Sequence, residues 1–349
     1  MLSDYEKIQI LRDKIHQLSR TEVSFMEVCG THTMSVAKHA IKSMLPKTIN
    51  IVSGPGCPVC VTSQTDIEMS LILARSENKI ICTFGDMIKV PSRQDSLSNY
   101  KNVKIIYSPL DALKIAHENP KQEIILLGIG FETTTPLIAV TIKTAKQEGI
   151  KNFSVLSMHK TVPSALQLIL SSPDIALHGL ILPGHVSAIT GRKYFDFIKD
   201  YHTSGVVAGF EALDIMECIY LLTKLVEENQ VEVINNYKRI VSEEGNQIAM
   251  QLLYEVFEDS NCQWRGIGEI PKSGLKIREP FQTYDAKIKF DIPIENIPEP
   301  KHCRCGEILM AKKSPPDCLL FKNTCTPLNP IGPCMVSSEG TCAAYYKYL

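Results

Sequence analysis

The 349-residue sequence lacks several features that would have named a function class directly. No tract is dense in lysine or arginine and the net charge is −1, so nucleic acid is not expected as the main partner. No apolar run approaches the roughly 20 residues that span a bilayer, so no membrane association is expected either. The start, Met1-Leu2-Ser3-Asp4-Tyr5-Glu6-Lys7, is polar and has no apolar secretory core. A cytoplasmic protein is the expectation. The glycine pairs Gly54-Pro55-Gly56 and Gly128-Ile129-Gly130 resemble phosphate cradles, but neither completes a nucleotide-binding fingerprint. The paired Cys-x-x-Cys knuckles of a zinc ribbon are absent too; Cys57-Pro58-Val59-Cys60 stands alone.

What remains is an ordinary globular composition, 44% hydrophobic and 21% charged, long enough for two or three domains. Its unusual component is cysteine, of which there are 12. Structural disulfides are disfavoured in the cytoplasm, so metal binding or redox chemistry is the better reason for so many thiols. Cys82, Cys218 and Cys262 are scattered and read as small buried hydrophobes. Cys303, Cys305, Cys318, Cys325, Cys334 and Cys342 crowd the last 47 residues.

Hydrophobic patterning predicts an α/β protein. A first helix is capped by Ser3, with Ile8, Leu11, Ile15 and Leu18 on one face. A strand over 22–28 runs into Cys29-Gly30-Thr31-His32-Thr33, with a helix expected from Met34 to Met44. A strand over 49–53 leads into the Cys57/Cys60 loop, and Thr62 is expected to cap the next helix, placing both thiols near a helix N-terminus where thiolate is favoured. Strands over 79–84, 103–107, 123–128, 152–157, 176–182 and 205–210 follow, each bounded by polar or glycine-bearing loops. The span 211–258 reads as mostly helical, and 264–300 as proline-rich with few helix signals. Alternating strands and helices imply parallel sheets with right-handed crossovers, with sites at the carboxyl ends of strands.

A methionine, a lysine and Val-Pro-Ser recur between 86–92 and 157–164. This suggests a duplication: two related Rossmann-like α/β domains at 1–118 and 119–212, then a helical, cysteine-rich domain at 213–349. Asp86, Glu132, His159, Lys160 and His185 lie at predicted strand ends and are candidates to share a cleft with Cys29 and His32, which small polar neighbours suggest is exposed. A thiolate there would serve as nucleophile or as ligand to a borderline metal such as Fe(II). Cys303, Cys318, Cys325 and Cys342, with 14, 6 and 16 residues between them, suit a [4Fe–4S] cluster, whose ligand spacing is variable. Structural zinc and free thiols stay open, and spacing does not separate Cys303 from Cys305 as first ligand.

Six strings together resemble one family: Phe25-Met26-Glu27-Val28-Cys29-Gly30-Thr31-His32-Thr33, Gly54-Pro55-Gly56-Cys57-Pro58-Val59-Cys60, Thr83-Phe84-Gly85-Asp86-Met87, Gly130-Phe131-Glu132-Thr133-Thr134-Thr135-Pro136, Pro183-Gly184-His185-Val186-Ser187 and Met335-Val336-Ser337-Ser338-Glu339-Gly340-Thr341-Cys342. The sequence is similar over nearly its whole length to the HypD family of hydrogenase maturation proteins. The resemblance implies two related α/β domains and a third bearing a [4Fe–4S] cluster in surroundings like those of ferredoxin:thioredoxin reductase. It implies a scaffold, formed with a HypC-like chaperone, on which the Fe(CN)2CO group of [NiFe]-hydrogenases is assembled. Cyanide would come from a HypE-like donor carrying it as a thiocyanate. By the same resemblance Cys29 would be the iron ligand and Cys57 and Cys60 the redox pair. Cys303, Cys318, Cys325 and Cys342 would hold the cluster, and His32 and Asp86 would serve the iron site. A stand-alone iron–sulfur dithiol oxidoreductase of the ferredoxin:thioredoxin reductase type is the alternative.

Overall fold

A computed structural model describes residues 2–292 and 297–349. Eleven strands are present among them: β1 (Val23–Glu27), β2 (Ile49–Ser53), β3 (Lys79–Thr83), β4 (Val103–Ile105), β5 (Glu123–Gly128), β6 (Phe153–Ser157), β7 (Gly179–Pro183), β8 (Ser204–Ala208), β9 (Val233–Asn235), β10 (Phe257–Trp264) and β11 (Gly268–Ile277). They form a five-stranded sheet in the order β2-β1-β7-β8-β9, a four-stranded sheet in the order β4-β3-β5-β6, and a hairpin of β10 and β11. Every pairing in the two larger sheets is parallel. The α/β expectation with parallel sheets is met.

The two sheets are built alike. In each, the second strand lies outside the first, and later strands add on the first strand's other side. The strand order therefore reverses beside β1 in one sheet and beside β3 in the other, and such switch points are where doubly wound sheets open a crevice.

The chain is shared between the sheets differently from the sequential division at 118 and 212. Strands β1 and β2 pair with β7 to β9, while β3 and β4 pair with β5 and β6. The smaller sheet is thus inserted between the second and third strands of the larger. Both copies of the recurring Met/Lys/Val-Pro-Ser string follow strands of this one smaller sheet, β3 and β6, rather than strands of separate domains.

Parallel strands covered on both faces must be apolar throughout. In β5, Ile124, Ile125, Leu126 and Leu127 are all fully buried, each contributing roughly 1.5–3 kcal/mol by leaving water. The helix Thr135–Gln147 covers the Ile124 and Leu126 face with Ile138, Ala139, Ile142 and Ala145, one face at helical spacing, while Ile125 and Leu127 face the other core. The first helix, Asp4–Leu18, has the expected Ser3 cap, completed as a capping box by Glu6.

Three local expectations change. The helix expected from Met34 starts at Gly30 and stops at Lys38, where Ala40 turns left-handed before a short helix Ile41–Met44. The span 211–258 contains the helices Ala212–Glu227 and Gln247–Val256, but β9 lies between them as an edge strand of the larger sheet. The span from 257 folds into the antiparallel β10–β11 hairpin, with an irregular register between Ser260 and Cys262. Phe257, Leu275 and Ile277 of this hairpin join the core of the smaller sheet. Among the described residues, no helix is long and apolar enough to cross a membrane.

Candidate functional site

Cys29 ends the extended segment after β1 and is the N-cap residue of the helix Gly30–Lys38. It therefore sits at the larger sheet's switch point. The Cys57 loop, after neighbouring β2, is locked onto it through backbone: Gly30 N–H donates to the Gly56 carbonyl at 3.1 Å. Gly56 must be glycine for this approach, since a Cβ there would stand 2.4 Å from the Cys29 nitrogen. Cys57 then caps a short helix, Pro58–Val61, and Ser63, not Thr62, caps the next, Gln64–Ala74. Cys57 and Cys60 are joined as a disulfide, with Cα atoms 5.2 Å apart.

Neither thiol group is displayed to solvent as the flanking residues suggested. Cys29, Cys57 and Cys60 are all buried. Burial first, and the Glu339 carboxylate second, push the Cys29 thiol up to about 11. His32 is fully buried and lies 2.9 Å through Nε2 from the Gly209 carbonyl. Burial holds its ring neutral, lowering its pKa to about 4. Phe210 is stacked between the His32 and His185 rings, at 4.8 and 3.9 Å.

The C-terminal segment closes over this corner. Thr31 Oγ1 donates to Glu339 Oε1 at 2.6 Å. Asp86, beyond β3 at the smaller sheet's switch point, accepts from Ser337 Oγ at 3.0 Å and from Ser338 N and Oγ at 3.2 and 3.1 Å. Ser337 Oγ is also 3.4 Å from Cys57 Sγ. One turn, Ser337–Glu339, thus ties together both switch points and the dithiol. Sequence reading quoted this string for its resemblance and assigned it no role.

The other candidates lie apart. Glu132 accepts from Val162 N and Tyr194 Oη at 2.9 and 2.8 Å. Lys160 pairs with Asp66 at 3.3 Å and reaches Cys262 Sγ at 3.1 Å. His159 lies against Phe257. All three follow strands of the smaller sheet; His159 and Lys160 point into its packing against the hairpin, and Glu132 points toward Val162 and Tyr194. Cys82 and Cys218 are buried as expected, whereas Cys262 is half-buried.

Cys303, Cys305, Cys318, Cys325, Cys334 and Cys342 line one cavity, closed on its apolar side by Ile308, Leu320, Phe321 and Met335. Burial, and then the thiols of Cys305, Cys325, Cys303 and Cys318, hold Cys342 well above the usual thiol range. Cys305 and Cys334 bring their sulfurs to 2.7 Å of each other, and both are buried; neither is among the four cysteines singled out by spacing. The short helices carrying them, Cys305–Leu309 and Pro333–Val336, pack against Pro58–Val61, which contains Cys60. Among the described residues no three potential ligands converge on a single point suited to one metal ion. Soft sulfur donors spread around an apolar cavity suit a polynuclear iron–sulfur group, whose irons each take a separate thiolate.

The fold and site define a class: a doubly wound α/β protein with a buried cysteine at one switch point, a dithiol beside it and a cysteine-lined cavity behind. The profile of the family described as HypD, hydrogenase formation hypA family, matches residues 6–349. The chain is 43% identical over 338 residues to the hydrogenase maturation factor HypD of Cupriavidus necator, covering 93% of this chain and 89% of that protein. It is 40% identical over 352 residues to the HypD of Escherichia coli, covering 98% and 94%, and 38% identical over 352 residues to that of Rhodobacter capsulatus, covering 98% and 93%. The chain belongs to the HypD family of hydrogenase maturation factors. That membership favours maturation over the stand-alone oxidoreductase.

Proposed function

We propose that this protein holds iron on Cys29 while the cyanide and carbonyl ligands of a [NiFe]-hydrogenase centre are added. It does so together with a HypC-like chaperone and takes cyanide from a HypE-like donor. The observation that carries the reading is the backbone lock between Gly30 and Gly56, which sets the lone cysteine directly beside the dithiol. Iron is cargo in this scheme. Cys29 must give up its proton to bind it, and a thiol held near 11 does so only when a cation compensates the charge.

Cys303, Cys318, Cys325 and Cys342 would hold a [4Fe–4S] cluster, which would supply one-electron redox capacity when bound. The packing of Pro58–Val61 against the helices of Cys305 and Cys334 supports passage of reducing equivalents from that cavity to Cys57–Cys60. Asp86 holds the Ser337–Glu339 turn over the dithiol, and His32, in the first turn of the helix that Cys29 caps, anchors that turn to Gly209 and Phe210 as a neutral ring.

Anaerobic copurification with a HypC-like partner, read by infrared and Mössbauer spectra, tests the proposal. Cyanide and CO stretches that disappear in Cys29→Ala are expected. Cys57→Ala should also abolish the stretches while leaving the cluster's absorbance intact; loss of that absorbance would make Cys57 a cluster ligand and defeat the relay. Absence of both stretches from the wild-type complex, with the donor and partner present, would overturn the scaffold reading.

A further inference from the structure

Arg265 is fully buried, a rare state for a group that stays protonated throughout the physiological range. None of its three guanidinium nitrogens has a hydrogen-bond partner among the described residues. Glu299, about one-third exposed, stands 3.2 Å from Nε as an ion pair without hydrogen-bond alignment. Burying a guanidinium with none of its nitrogens hydrogen-bonded is strongly unfavourable, and one partly exposed carboxylate offsets it only in part, so a chain that keeps one there is expected to have something more for it to face.

The backbone fixes where this charge lies. Arg265 N–H donates to the carbonyl of Val61, next to Cys60, at 3.0 Å. On the other side Gly266, at φ +64°, meets Gly306 so closely that a Cβ would stand 2.6 Å from its Cα. Gly306 follows Cys305. Arg265 is thus clamped between the dithiol helix and the first helix of the cysteine cavity.

We propose that Arg265 is the built-in counter-cation of the cysteine cavity, a positioning residue whose guanidinium faces the sulfur shell of the bound iron–sulfur group and raises that group's reduction potential. This rests on the cluster reading given above. Thiolate ligands outweigh the charge of a cluster core, so the assembly is an anion and gains a further negative charge on reduction. A fixed cation in a dry pocket stabilises the more negative state most. In the titration one electron enters from an external reductant, and no bond breaks. Glu299, the partly exposed carboxylate 3.2 Å from Nε, opposes the effect.

The test is a redox titration of the anaerobically purified full-length protein, followed by the signal of the reduced cluster, with iron and sulfide content measured in parallel. Arg265→Met keeps the stem and removes the charge. At a fixed solution potential its oxidised-to-reduced ratio is expected to rise at least about tenfold, a downward shift of about 59 mV for one electron. Arg265→Lys retains the charge and shifts less. Glu299→Gln removes the opposing charge and shifts the ratio the other way. If Arg265→Met fails to load iron, the opposite movement in Glu299→Gln decides the matter. Unchanged ratios, or shifts of the same sign in Arg265→Met and Glu299→Gln, overturn the inference. A wild-type protein without iron and sulfide overturns the cluster reading beneath it.

Discussion

At the scale of single residues, burial decides the protonation of the histidines. His159 is buried, with Nδ1 3.0 Å from Ser157 Oγ. The Ser157 hydroxyl donates to the Leu275 carbonyl at 2.6 Å, so it accepts from His159 and fixes the Nδ1–H tautomer. Burial first, and the Lys160 charge second, lower the His159 pKa to about 3. The native ring thus refuses a proton that the unfolded chain accepts below about pH 6.5. The stability this contributes is complete above that pH and is lost as pH falls toward the folded value, at about 1.4 kcal/mol per pH unit. His32 behaves alike, down to about pH 4. Urea unfolding of His159→Gln at several pH values between about 7 and 5 should show a slope shallower by about that amount; parallel slopes would refute it. Of these residues, sequence could name His32 and His159 because each stands in a polar string at a strand end. It could not tell that both are sealed, because that depends on Phe210 and Phe257, distant in the chain.

At the scale of elements, the turn Ser337–Glu339 is the part that covers the site. Three hydrogen bonds to one Asp86 oxygen hold it. Bonds to a charged group contribute roughly 1.5–3 kcal/mol each when buried, and less at a half-exposed site such as this. Asp86→Asn should therefore loosen the turn by roughly 1–2 kcal/mol without unfolding the sheets. Faster hydrogen exchange confined to residues 337–342, with several-fold faster reduction of Cys57–Cys60 by a small thiol, is the expected result. Unchanged exchange there would show that Thr31–Glu339 alone holds the turn. Strands β1 to β8 were legible because their apolar runs are bounded by glycine and polar loops. The β10–β11 hairpin was not, since Glu258-Asp259-Ser260-Asn261 carries little intrinsic strand preference and is held by its partner strand. The helix start at Gly30 was missed because Cys29 caps it without a side-chain hydrogen bond, leaving no capping signature to read.

At the scale of the whole molecule, the two sheets share one strand order but not one stretch of chain. Periodicity could find each strand, but only pairing assigns it to a sheet, and β1 to β7 is a contact across most of the inserted lobe. A fragment of residues 1–118 would hold β1 and β2 without β7, and β3 and β4 without β5. It is expected to lack cooperative unfolding and dispersed amide resonances; a fragment that folds would restore the sequential division.

The interleaving also orders events during synthesis. Cys29 and the Cys57/Cys60 pair leave the ribosome long before β7 arrives to complete their sheet, a wait on the order of 10 s at ordinary translation rates. Ser337 and Glu339 emerge later still. For that interval the nascent chain carries these three cysteines on an unfinished edge. Until then those sulfurs lack the cover of the C-terminal turn, and only a chain translated past Glu339 can shut that corner.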